Sequence, residues 1–148
     1  MKSKLTIYLA AAASLFAGAT LTAVLVQPTF AHHAFAAEFD LNKPFDVTGV
    51  VSKVDWRNPH VYVYLDAPGE GGKTVTYAME CNSVNTLAHK GWTRDALKAG
   101  DKVTISAYGS KDPRPLANGN FHANARSIKF VDGRTISAGS SAGEAAKK

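Results

Sequence analysis

From Phe45 onward, apolar and polar residues alternate with the two-residue period of half-buried strands, in five successive segments. In the first, Val50, Val54 and Trp56 share one face. Asn58-Pro59 interrupts it, because proline donates nothing to a ladder and restricts the residue before it. Residues 60–66 then set Val61, Val63 and Leu65 on one face and His60, Tyr62 and Tyr64 on the other. The stretch 68–72, rich in glycine, supplies a hairpin turn, and residues 73–81 return with Val75, Tyr77, Met79 and Cys81 together. A short helix follows. Asn82 or Ser83 caps it, Val84, Leu87 and Ala88 form a narrow apolar stripe, and Gly91 ends it. After a polar connection with one apolar plug, Leu97, Gly100-Asp101 turns into a fourth strand over 102–108, where Val103, Ile105 and Ala107 alternate. A loop over 111–120 leads to the fifth strand, 121–130. There Ala123 and Ala125 are out of phase with Ile128 and Phe130, the pattern of a β-bulge. Asp132-Gly133 turns into a short last strand at 134–136, and the small, polar residues 137–148 read as a disordered tail.

Three strands, a helix and two further strands is the element order of an OB-fold. The predicted class is therefore all-β with one short helix, a five-stranded OB-fold-like partly open barrel. Closure also removes the exposed edges that short strands would otherwise present. A β-sandwich is the competing architecture, and the single helix after the third strand counts against it.

Upstream of residue 45 the pattern changes. Lys2 and Lys4 precede an uncharged apolar run over 5–26, then Gln27-Pro28 and the small residue Ala31. Basic, apolar, small is the order of a secretory signal peptide. The expected organisation is a signal peptide at 1–31, a domain at 32–136 with an irregular N-terminal arm at 32–44 anchored by Phe35 and Phe39, and the tail. The expected compartment is the periplasm. Thr29 stands three residues before the cut, where alanine is more usual, and a second possible cut follows Ala36. The apolar run also reaches the roughly 20 residues that cross a bilayer. Contact with a membrane is expected only if the run is retained as an anchor, for which its alanine content makes it weakly apolar.

The whole chain has 148 residues and a formal net charge of +5. Loss of Lys2 and Lys4 takes 17 basic residues to 15 against 12 acidic, leaving +3. So mild and unclustered an excess does not point to nucleic acid. Cys81 is the only cysteine in the sequence, so no internal disulfide forms and the fold rests on its core.

A cut after Ala31 makes His32 the first residue of the mature chain. Its free α-amine and its Nδ1 can then chelate one metal ion, and copper(II) favours such nitrogen donors in tetragonal geometry. A third nitrogen would come from His60 or His122, both in the phase opposite the presumed core. His33 points away along the chain, and Ala34 in third place excludes the amino-terminal tripeptide copper motif. The competing reading is a solvated, cleavage-friendly pair of histidines. A second constellation joins Trp56, Asn58, Tyr62, Tyr64 and Arg126 as a face for a small ligand or another envelope protein. Against it, aromatic residues at period two are ordinary strand formers. His122, Asn124 and Arg126 are expected on a solvated outward face of the fifth strand, and Glu80 is expected exposed or paired. Met79 and Cys81 suit copper(I) as soft ligands, but two such residues on an inward face are more often simple core packing. His89 sits where a cation complements the end of a helix dipole.

Enzyme signatures are missing from the sequence. It contains no Walker loop, dinucleotide fingerprint or His-Glu-x-x-His, and nothing near Cys81 would depress a thiol pKa. The expectation is a non-enzymatic protein.

The chain resembles a widespread family of small exported bacterial proteins that carry a domain of unknown function. The likeness rests on His32-His33-Ala34-Phe35-Ala36-Ala37-Glu38-Phe39-Asp40, on Trp56-Arg57-Asn58-Pro59-His60, on Gly91-Trp92 before the Leu97-Lys98-Ala99-Gly100-Asp101 turn, and on Asn124-Ala125-Arg126-Ser127. Ala34 and Cys81 depart from the family's usual residues. Membership implies an exported OB-like domain and no established activity. The resulting expectation is an exported binding protein that takes copper through a processed His32. Its rival is a metal-independent interaction module using the outer barrel face, with no other cofactor.

Overall fold

The structure, a computed structural model, describes residues 35–139. The leader, His32, His33 and residues 140–148 lie outside the described residues. Residues 35–38 are helical and lead directly into β1 (Phe39–Trp56). There follow β2 (Val61–Pro68), β3 (Thr74–Glu80), the helix α1 (Val84–His89), β4 (Lys102–Ser110), β5 (Phe121–Phe130) and β6 (Thr135–Ser137).

The length of β1 organises the molecule. Its first half pairs antiparallel with β4, from Phe39 to Val50, and its second half pairs antiparallel with β2, from Val50 to Trp56. At the handover stands Gly49, where a Cβ would lie 2.3 Å from the backbone oxygen of Asp66. Only glycine permits that approach of two strands. β2 pairs with β3, β4 with β5, and a parallel pairing of β3 with β5 joins the two ends. The result is mostly β with one short helix, a ring of strands consistent with the expected partly open barrel. β6 pairs with β5 over Ser127 to Lys129, beyond the stretch paired with β3.

The interior follows the alternating pattern. Val61, Val63 and Leu65 are fully buried, as are Met79 in β3, Cys81 just after it, and Ile105 and Ala107 in β4. Met79 and Cys81 are thus core residues. Burial pushes the Cys81 thiol pKa far up, which keeps it protonated and inert. Ser83 caps α1 through a hydrogen bond from the Thr86 amide, and Leu87, Trp92 and Leu97 pack into the same core.

The structure departs from expectation at four places. Val50 is 44% exposed and Val51 takes the inward position, because the register of β1 on β2 slips between Val51 and Lys53. That bulge brings Val54 and Trp56 back into the inward phase beside Val63 and Val61. Ala88 is exposed, so Leu87 is the helix's one fully buried residue, with Val84 partly buried against the core. Residues 39–44, expected as irregular arm, already belong to β1, with a register shift between Phe39 and Pro44 taking up the irregularity. Finally, the fold runs past 136. Ser137 closes β6, Ala138 is fully buried, and both Ala138 and Gly139 donate to the Arg126 carbonyl. The bulge expected in the fifth strand is present, between the pairs Ser106–Ser127 and Ala107–Ala125.

A second, smaller apolar cluster joins Phe35 and Phe39 to Tyr108 of β4, with Leu41 against it. Phe35 and Phe39 are the anchors expected of the arm. The Lys111 amide donates to the Glu38 carbonyl at 2.8 Å and its ammonium to the Ala36 carbonyl. These contacts hold the arm against the outside of the ring.

Candidate metal centre

Val63 and Met79 face each other inward across β2 and β3, so the neighbouring pair Tyr62 and Glu80 faces outward. Glu80 also lies opposite Asn124 in the parallel β3–β5 pairing, and His122 is two residues before Asn124 on the same face. Three strands therefore bring their outward side chains together around one carboxylate.

Glu80 is the hub. Its Oε2 accepts from the Tyr62 hydroxyl at 2.9 Å and lies 3.2 Å from His122 Nε2, while Oε1 lies 2.8 Å from His60 Nδ1. Burial alone would raise its pKa. The hydrogen bonds from His122 and Tyr62, with the electrostatic influence of His60 and His122, outweigh burial and hold the carboxyl below its ordinary range. Burial also pushes the Tyr62 hydroxyl well up, helped by the bond to Glu80, so Tyr62 stays a donor.

His122 is the second hub. Its side chain is 14% exposed, its ring meets Phe39 edge-on at 5.2 Å, and it stacks beside Tyr62 at 6.3 Å. Its Nδ1 lies 3.4 Å from Oε1 of Glu38, on the arm, so each ring nitrogen faces a carboxylate. A neutral imidazole has one N–H and one lone pair. It can satisfy only one of those carboxylates, and the other contact sets lone pair against lone pair. Either a second proton or a metal ion resolves this. One donor atom each from Glu38, Glu80 and His122 lie within 4.8 Å of one another, close enough to share an ion. Imidazole and carboxylate together suit a borderline divalent cation.

Of the residues singled out from sequence, His60, Tyr62 and His122 converge on this centre. His32 lies outside the described residues. Arg57 stacks over the Tyr62 ring at 4.5 Å at its edge. Tyr64 stands further along β2 beneath Lys53, 5.5 Å from the ring centroid. Trp56 points inward against Trp92, and Asn58 is exposed in the turn before His60. Arg126 lies over the Tyr108 ring at 5.0 Å. The supposed ligand face is thus divided, with only its Tyr62 end at the centre. His89 is exposed in the last turn of α1.

Sequence reasoning missed Glu38 and the burial of Asn124, and it read Glu80 only as exposed or paired. Glu80 was within reach: it shares its phase with the tyrosines of the adjoining strand. Asn124 is 1% exposed rather than solvated.

Neither the curated proteins nor the solved structures offer a match to this chain. Residues 20–118, which include Glu38, His60 and Glu80, match the model of a family of unknown function (DUF6152), and the chain belongs to that family.

Proposed function

We propose that this is an exported, periplasmic, non-enzymatic binding protein that holds a copper(II) ion on the outer face of its ring, with Glu38, Glu80 and His122 as ligands and His60 beside them. The observation that carries the reading is His122, which faces a carboxylate at each ring nitrogen. A cation between them replaces a repulsive contact with two bonds. His60 and Tyr62 hold the Glu80 carboxylate in place, as outer partners commonly orient metal ligands.

Copper titration of the tag-free protein, followed by electron paramagnetic resonance, tests it. The expected spectrum shows nitrogen coupling, and His122→Ala and Glu80→Gln each weaken binding by at least about tenfold, or about 1.4 kcal/mol. An unchanged spectrum and affinity in His122→Ala would overturn the site. The further proposal that a processed His32 supplies its amine and Nδ1 to copper has its own check. N-terminal sequencing of the secreted protein should return His32, and Ala37 or Met1 as first residue would remove it.

A second reading is favoured by the cationic and aromatic residues along β1, β2 and the turn between them, where Lys53 and Arg57 lie over Tyr64 and Tyr62. Such a ribbon suits an envelope protein or a small ligand. In that case Tyr64→Ala abolishes partner capture and His122→Ala leaves it intact.

A further inference from the structure

Asn124 is 1% exposed, and neither its Oδ1 nor its Nδ2 has a hydrogen-bond partner among the described residues. Native proteins leave few buried amides unpaired, because the lost hydration is not repaid. Its place is specific. Ala123 and Ala125 on either side are buried in the core, so Asn124 shares the outer face of β5 with His122. Glu80 lies directly opposite it on one flank and Tyr108 on the other. These neighbours do not serve it. The Glu80 oxygens are taken by Tyr62, His60 and His122, and the Tyr108 ring packs against Phe35 and Arg126.

We infer that Asn124 is a further ligand of the centre, its Oδ1 giving a lone pair to the divalent cation held by Glu38, Glu80 and His122. The inference rests on the metal reading above. Two carboxylates already neutralise a dication, and an amide adds a donor without adding charge. Water or an anion on the ion gives Nδ2 its acceptor. One amide oxygen, two carboxylates and one imidazole form a hard-to-borderline set that suits copper(II) or zinc(II). The same set discriminates against copper(I), which prefers sulfur ligands. The sulfur atoms of Met79 and Cys81 are sealed in the core with no exposed surface.

Asn124→Leu keeps the volume and removes both polar atoms, and Asn124→Asp keeps the oxygen donor. Isothermal titration with copper(II) and with zinc(II) should show binding weakened about tenfold or more in Asn124→Leu and retained in Asn124→Asp. Without metal, Asn124→Leu should melt at or above the wild-type temperature, because it relieves an unpaired amide. The combination of raised stability with lost affinity is the signature of a ligand and not of a structural amide. If Asn124→Leu does not fold, Asn124→Ser takes its place with the same expected loss of affinity. Wild-type affinity in Asn124→Leu or Asn124→Ser, with His122→Ala still defective, overturns this inference and leaves the metal centre standing. Absence of binding by the wild-type protein overturns both.

Discussion

At the scale of single residues, Glu80 carries more of the structure than any neighbour on its face. Its folded pKa lies below that of an ordinary glutamate, held down by the hydrogen bonds from His122 and Tyr62. A depressed carboxyl contributes stability above its unfolded pKa, and that contribution disappears as pH falls through the lower, folded value. In metal-free protein, the melting temperature of the wild type should therefore fall on acidification through that window, while Glu80→Gln shows a flatter profile. Identical profiles would mean that the network does not hold the carboxylate. Cys81 makes a complementary prediction. With its thiol buried and its pKa raised, it should resist alkylation at pH 8 in native protein and react at once in denaturant. Rapid native labelling would contradict the core position. The residues hidden from sequence reasoning share one physical cause. Whether Glu80 or Asn124 is solvated depends on which strand lies beside it and on what packs outside the ring, and neither is encoded in local periodicity.

At the scale of elements, the alternation was legible almost everywhere, and it failed where the backbone changed phase. The slip between Val51 and Lys53 exchanges the faces of Val50 and Val51, and no local residue signals it. The bulge in β5 could be anticipated because its two alanines and its Ile128 lie in opposite phases. Gly49, by contrast, looks like an ordinary interruption of a strand and is the point where β1 changes partners. Gly49→Ala should cost about 1–3 kcal/mol, typical of overpacking, measured by urea denaturation; a wild-type midpoint would place the two strands further apart. The arm is the element that joins fold to site. Phe39 is 1% exposed and meets the His122 ring, and the next residue toward the N-terminus is Glu38. Phe39→Ala should lose about 3–5 kcal/mol of stability and also weaken copper binding, because the cavity frees both His122 and the arm that carries Glu38. Loss of stability with unchanged affinity would separate the arm from the centre.

At the scale of the whole molecule, element order alone led to a small barrel with one helix after the third strand, and the observed ring has that order. Its function was less accessible. Sequence periodicity placed His60 and His122 on an outer face without saying that they meet at the same carboxylate. That meeting requires β3 to sit between β2 and β5, a pairing of segments far apart in the chain. The ring thus provides a sealed core on one side and, on the other, three strands that hold two imidazoles, a carboxylate and an unpaired amide under the arm. A crystal grown with copper(II) and measured across the copper absorption edge tests this most directly. An anomalous peak within bonding distance of Glu80 and His122, with Glu38 and Asn124 turned towards it, is the expected result. A peak only at other residues, or no peak in crystals soaked well above the titrated affinity, would contradict a metal centre on this face.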